Sequence, residues 1–187
     1  MIRVATFAAG SFVLVYLSRS SLVAIRSHGF YRFFAWECIL GLWCLNFVGL
    51  EQWFRDPLSI RQVVSWILLS GSILPVVAGV HQLKTAGEPS RVARADASHL
   101  LPFERTTHLV TKGVYRYIRH PMYSSLLLLA WGVFFKRLSW AGAALAGGAT
   151  LSLLATAKAE EREDVQYFGP EYETYMTRTK RFLPFVL

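Results

Sequence analysis

Long apolar segments without a single charged residue are the feature that most restricts how this chain can fold. They comprise residues 4–18, 38–50, 62–83, 121–135 and 138–157. With 53% hydrophobic and 17% charged residues among its 187, the chain carries more apolar side chains than one soluble core of this size requires. We therefore expect these segments to lie in a bilayer as membrane-spanning helices.

Only the third and fifth segments reach the roughly 20 residues that a perpendicular helix needs to cross a bilayer. The first can extend past Arg19 to Ile25 if the Arg19 side chain reaches back to the interface, and the second can begin at Phe30 if Glu37 faces protein. Glu37 would then be a buried carboxylate hydrogen-bonded to a neighbouring helix. The sequence thus predicts an all-α integral membrane fold with about five spans.

The distribution of basic residues predicts the orientation of these spans. If the N-terminus lies outside, fifteen of the twenty lysines and arginines fall in the inner segments 19–32, 84–119 and 158–181. This bias follows the positive-inside rule, so we expect the 84–119 connection and the C-terminus to face the cytoplasm. The net charge of +8 is then explained by contact with membrane lipids, and no nucleic-acid partner is expected.

The segment GVYRYIRHPMY, residues 113–123, places cationic side chains directly before an apolar run. Pro121 suits the first position of a helix, where its missing N–H would have no partner. The positive end of that helix, with Arg119 and His120 beside it, forms a site suited to an anion such as a carboxylate. A simpler alternative stays open, in which these arginines and tyrosines only anchor the helix at the interface.

Spans four and five are joined by residues 136–139 alone, which predicts a helical hairpin. In span five, small residues spaced four apart favour close contact with another helix. These pairs are Ala143 with Gly147 and Ala144 with Gly148. The hairpin returns the chain to the cytoplasmic side.

An acidic cluster follows span five. Glu163 and Asp164 fit a solvated helix face, whereas Glu160 and Glu161 lie at the edge of the apolar span and are harder to explain as surface residues.

The chain after this cluster predicts one more helix. Gly169 and Pro170 mark a helix end and a helix start. An apolar stripe of Tyr172, Tyr175 and Met176 then predicts a cytoplasmic amphipathic helix that lies on the membrane surface.

Short motifs occur in a fixed order over residues 108–184. They are HLVTKGVY at 108–115, RHPMY at 119–123, EE at 160–161, FGPEYETY at 168–175 and RFLP at 181–184. Together they resemble the isoprenylcysteine carboxyl methyltransferase family, with its bacterial and archaeal members and the related phospholipid methyltransferases.

The resemblance implies an integral membrane methyltransferase that uses S-adenosylmethionine, built as one domain. Residues 1–83 would form three N-terminal spans, and residues 84–187 would hold the cofactor. The acceptor would be amphiphilic: the carboxylate of a prenylcysteine-like compound, or a lipid amine or thiol. Carried over by position, the cofactor contacts would be His108, Leu109, Val110, Tyr115, His120, Pro121, Met122, Tyr123 and Glu160.

Two positions depart from the family pattern. The family histidine usually stands two residues before the Leu-Val pair, where this chain has Thr107, with His108 next to it. The arginine that orients a prenylcysteine acceptor in the eukaryotic enzymes corresponds to Thr156, although Lys158 or Arg162 could replace it.

The implied reaction makes few chemical demands on the side chains. A methyl group on a sulfonium is already activated, so the enzyme must mainly align donor and acceptor and exclude water. Arg119 would steer a carboxylate acceptor, whereas an amine or thiol would need a proton acceptor, for which Glu161 is the candidate. His28 and His81 are single histidines without acidic ligands at metal spacing, so no metal site is expected.

Two other classes of function stay open at this point. One is a non-catalytic membrane adaptor or lipid-binding protein that keeps the fold. The other is a lipid reductase of related architecture.

Overall fold

The computed structural model describes residues 1–47, 50–86 and 108–184, which are helical apart from turns, loops and one isolated bridge. The helices are α1 (Ile2–Leu17), α2 (Arg19–Val23), α3 (His28–Phe47), α4 (Leu50–Phe54), α5 (Ile60–Ala86), α6 (Pro121–Lys136), α7 (Trp140–Phe168) and α8 (Pro170–Arg178), with a 3-10 turn at Gly113–Arg116 before α6. The all-α prediction is confirmed for these residues.

Within the described residues, two helices are long and apolar enough to cross a membrane by length and composition. They are Ile60–Thr85 in α5 and Trp140–Phe168, which is α7. Helix α1 is apolar but shorter. The predicted five spans correspond to α1, α3, α5, α6 and α7, and the predicted hairpin corresponds to α6 and α7.

The first predicted span is not one continuous helix. Helix α1 ends at Ser18, whose backbone leaves the helical region (φ −96°, ψ 7°), and the chain resumes as the short helix α2. A residue with positive φ, Arg26 at 74°, then turns the chain toward α3. The predicted extension to Ile25 is therefore wrong. By contrast, α3 begins at His28, close to the predicted start at Phe30.

Helices pack in two main pairs, α5 with α6 and α3 with α7. Their shared core contains Leu42, Ala130, Val133, Ala146 and Ala149, which are buried. The small residues of this core let the helix backbones approach closely.

The predicted small-residue stripe of α7 faces α3 at only one of its glycines. A Cβ atom at Gly148 would lie 3.1 Å from Cys38 Sγ on α3, whereas Gly147 has no described atom within 4 Å of such a Cβ. A serine hydrogen bond joins the other pair, α5 and α6. Ser65 Oγ donates to the Gly132 carbonyl at 2.7 Å.

Glu37 connects α1 to α3. Ser11 Oγ in α1 donates a hydrogen bond of 2.7 Å to Glu37 Oε2. The prediction that this carboxylate bonds to a neighbouring helix is confirmed.

A buried lysine joins the far ends of α5 and α6. Lys136 has no exposed surface, although sequence reasoning placed it in an outer loop. Its Nζ donates to Gln62 Oε1 at 2.9 Å and lies 3.4 Å from the centre of the Trp66 ring. Arg61 Nη1 donates to the Lys136 carbonyl at 2.6 Å. The cation is thus held by one amide oxygen and an aromatic face.

We expect Gln62→Leu to destabilise the protein by about 1–3 kcal/mol, because it removes the oxygen that accepts a hydrogen bond from the buried ammonium. Thermal unfolding in detergent measures the change. Gln166→Leu, at an exposed position on α7, is the matched control and should stay within about 0.5 kcal/mol of wild type. Equal losses in the two variants would contradict this role.

Candidate active site

A partly open cavity lies where the end of α5, the start of α6, the end of α7 and α8 meet. Its lining residues are Leu83, Leu109, Val110, Tyr115, Arg119, His120, Met122, Tyr123, Glu160, Glu163, Asp164, Phe168, Tyr172 and Tyr175. The space between them is about 780 Å³, part of which opens to solvent. Clefts of this kind, with several convergent polar groups, are typical of small-molecule sites.

Most of the site residues predicted from the sequence line this cavity and form its wall. Leu109, Val110, Tyr115, Arg119, His120, Met122, Tyr123 and Glu160 all line the cavity. Three do not. His108 is exposed, Pro121 is buried, and Glu161 is buried behind the wall. A Cβ at Gly79 would lie 3.0 Å from Pro121 Cγ, so Pro121 packs on α5 rather than facing the cavity. Thr107 lies outside the described residues.

His120 lies between two carboxylates. Its Nδ1 is 3.4 Å from Glu160 Oε2, and its Nε2 is 3.4 Å from Glu161 Oε1. Burial alone would lower the pKa of His120, but the two acids outweigh it and raise the pKa to about 9. His120 is therefore an imidazolium at neutral pH. Cations at the entrance of α6 and acids at the exit of α7 thus meet at one point.

Glu161 is bound by three cationic side chains. Arg119 Nε donates to its Oε1 at 2.8 Å, and Arg181 Nη2 donates to its Oε2 at 2.6 Å. His120 Nε2 is the third partner. The Glu161 side chain is only 5% exposed. The predicted role of Glu161 as a proton acceptor is not supported by this placement, because its oxygens are engaged and do not reach the cavity.

The Arg119 guanidinium donates most of its hydrogen bonds to other groups of the protein. Besides Glu161, its Nη1 donates to the carbonyls of Met176 and Thr179, at 3.2 and 2.5 Å. Its Nη2 makes no hydrogen bond to a described residue and belongs to a side chain that lines the cavity. Arg119 can therefore both hold the C-terminal chain and offer one donor to a ligand.

Residues 179–184, which we call the strap, run beside the segment that enters α6. The Arg119 and His120 N–H groups donate to the carbonyls of Lys180 and Arg181, at 2.8 and 3.1 Å. Ser124 Oγ donates to the Phe182 carbonyl at 2.7 Å. This pairing explains the isolated bridge between Ile118 and Lys180. The strap fixes the position of the entire α6 entrance.

Helix α8 closes one side of the cavity. It starts after Gly169, whose φ of 63° suits glycine, and Pro170 opens it as predicted. Tyr172 and Tyr175 are buried, and Tyr175 Oη donates to the Tyr115 carbonyl at 2.7 Å. Burial raises the pKa of both phenols, so they stay neutral. Two members of the stripe predicted to lie on the membrane surface thus pack on the protein instead.

A comparison with protein-family models identifies the family of the chain. The phospholipid methyltransferase model matches residues 60–171, more than half of the chain. The chain belongs to the phospholipid methyltransferase family. This confirms the family suggested by the sequence motifs. No curated protein and no solved structure matches the chain significantly. Membership in a methyltransferase family and two long apolar helices together indicate a membrane-associated protein.

Sequence reasoning missed several residues of this family member, among them the pair His28 and Glu163. The His28 backbone N–H donates to Glu163 Oε1 at 3.0 Å, and His28 Nδ1 lies 2.5 Å from Glu163 Oε2. Glu163 was expected on a solvated face, together with Asp164, but both line the cavity. The pair is 135 residues apart in sequence, so no local pattern signals it. Leu83, Phe168, Tyr172 and Tyr175 also line the cavity and were not predicted as site residues.

We expect Glu161→Gln to destabilise this phospholipid methyltransferase homologue by about 3–5 kcal/mol, because it leaves buried cations without their shared counter-charge. Hydrogen exchange should increase in the strap and at the α6 entrance. Glu171→Gln, an exposed acid on α8, is the control and should leave both measurements unchanged. We call Glu161 with its partners Arg119, His120 and Arg181 the clamp. An unaltered strap in the Glu161 variant would be evidence against it.

Stability should also depend on the ionisation of His120. Its folded pKa lies above the ordinary value of 6.5, so its stabilising contribution is complete below that pH and is lost as pH rises through about 9. The thermal midpoint of wild type should fall more steeply between about pH 6.5 and 9 than that of His120→Gln. Parallel profiles for the two proteins would refute the assignment.

Proposed function

We propose that this protein transfers a methyl group from S-adenosylmethionine to an amphiphilic acceptor at the membrane. The observation that carries the proposal is the meeting of Arg119, imidazolium His120 and Glu160 in the wall of one cavity. Family membership supplies the reaction class, and the charges of the cavity match the cofactor.

The cavity offers a partner for each polar or flat part of the cofactor. Arg119 Nη2 suits the carboxylate of its amino-acid end, and the positive charge of His120 lies in the same wall. Glu160 suits the ammonium, because its buried Oε2 accepts no hydrogen bond from a described residue and retains acceptor capacity beside His120. Phe168 and Tyr172, whose rings stack at 6.3 Å and 17°, suit the adenine.

When bound, S-adenosylmethionine supplies a methyl group that its sulfonium already activates. The residues of the chain therefore bind, orient and exclude water, and alignment of this kind contributes ~7–11 kcal/mol to lowering the barrier. His120 is protonated and Glu161 is bound by cations, so neither serves as a base. An amine or thiol acceptor would therefore need another group of the cavity wall as its base.

The acceptor would enter from the lipid. A groove lined almost entirely by apolar side chains lies between α5, α6 and α7 and includes Leu128, Trp131 and Leu154. It ends at Phe182 of the strap, whose ring centre is 6.2 Å from that of His120. An acyl or prenyl chain in this groove would bring its head group to the wall of the cofactor cavity.

The membrane arrangement is part of the proposal. Helices α1, α3, α5, α6 and α7 would span the bilayer, with the N-terminus outside and the cavity on the cytoplasmic side. At 1.5 Å per residue, the 16 residues of α1 and of α6 extend about 24 Å, so flanking residues or local thinning must complete these crossings. The basic residues around the cavity support its cytoplasmic placement.

Purified protein in nanodiscs, incubated with S-adenosylmethionine labelled on its methyl group and with lipid or prenyl-thiol extracts, tests this function. We expect a labelled lipophilic product whose formation falls at least about tenfold in Glu160→Gln and in His120→Ala, since each loses a charged contact to the donor. Glu173→Gln, an exposed acid on α8, is the control.

Two results would count against the proposal. One is the absence of calorimetric binding of S-adenosylmethionine or S-adenosylhomocysteine to wild type. The other is full activity in the Glu160 variant, which would mean that the cavity is not the site of transfer.

A further inference from the structure

Glu163 differs from the other acids at the end of α7, because a residue of α3 holds it in place. Both of its oxygens contact His28, through the backbone N–H at 3.0 Å and through Nδ1 at 2.5 Å. The His28 side chain is 1% exposed, whereas that of Glu163 is 32% exposed and lines the cavity. One end of the pair is thus buried between helices, and the other faces the ligand space.

Capping of α3 does not by itself account for this pair. Ser27 Oγ already accepts the Phe30 N–H at the same helix end, at 3.2 Å. Burying an imidazole has a cost, and Nε2 of His28 is buried without a hydrogen-bond partner among the described residues. The buried His28 is explained if it orients the Glu163 carboxylate, whose oxygens must point in a fixed direction.

The position of Glu163 along α7 indicates what it meets. Helix geometry places Glu163 about 4.5 Å beyond Glu160 and about 7.5 Å before Phe168 along the axis. Glu160 lies beside the cations that suit the amino-acid end of the cofactor, and Phe168 lies with Tyr172 where the base would stack. The part of the cofactor between these two ends is its ribose.

We propose that Glu163, oriented by His28, binds the ribose hydroxyls of the nucleoside cofactor. A carboxylate can accept hydrogen bonds from two neighbouring hydroxyls, and acidic residues serve this purpose in dinucleotide-binding folds. Glu163 is then a binding residue, and His28 is a positioning residue that acts through it. The inference rests on the proposed function, because it assumes that the cavity holds S-adenosylmethionine.

Calorimetry with two probes tests the inference: S-adenosylhomocysteine and its 2′,3′-dideoxy analogue. Wild type should bind the dideoxy analogue about tenfold or more weakly, since the hydroxyls that Glu163 recognises are missing. Glu163→Gln should bind S-adenosylhomocysteine about tenfold more weakly and should discriminate far less between the two probes. Glu160→Gln should weaken both probes and keep the wild-type ratio between them.

Two variants of His28 distinguish a role in positioning Glu163 from a purely structural role. Asn can place an amide N–H near the position of Nδ1, so His28→Asn should retain most of the discrimination between probes. His28→Leu should lose it even after comparison at a temperature where both variants remain folded. A purely structural role would change the thermal midpoint and leave the ratio of the two affinities unchanged.

The outcomes distinguish this inference from the proposed function. If wild type binds S-adenosylhomocysteine but binds the dideoxy analogue equally well, the ribose contact is overturned while the methyltransferase proposal stands. The same holds if Glu163→Gln discriminates as strongly as wild type. If wild type binds neither probe, both proposals fall.

Discussion

The buried carboxylate of Glu161 is the contact on which the rest of the site depends. Burying this acid with the side chains of Arg119 and His120 is costly, and the cost is offset because each oxygen receives a short hydrogen bond from arginine. In return, α7, the entrance of α6 and the strap are fixed to one another. The cavity wall exists because these three pieces of chain cannot separate independently.

This clamp also sets the charge of the site. Glu161 approaches His120 from one side, and Glu160 approaches it from the other, so the imidazole keeps its proton well above its ordinary range. A permanent cation then borders the cavity at the place where α6 begins. The acid that joins these parts of the fold therefore also helps to set the charge of the cavity wall.

Sequence reasoning succeeded where the signal is local and failed where it is distant. The start of α6 at Pro121 and the Gly169–Pro170 junction follow from residues next to one another. The burial of Lys136 and the pairing of His28 with Glu163 each join side chains more than seventy positions apart, and neither has a pattern within one helix. The break at Ser18 was missed because apolar residues resume at 22–25, after Arg19, Ser20 and Ser21.

The strap has a consequence for how such a chain can vary. Its neighbours recognise it mainly through main-chain groups, so the exposed side chain at Lys180 is free to change with little effect. The number of residues between α8 and Arg181 is more restricted. Deleting or inserting one residue between α8 and Arg181 would shift every main-chain partner by one place and turn the guanidinium away from its acid, leaving the amino-acid composition almost unchanged. During evolution, the residue types at exposed positions of the strap should therefore change, whereas the number of residues between α8 and Arg181 should be conserved.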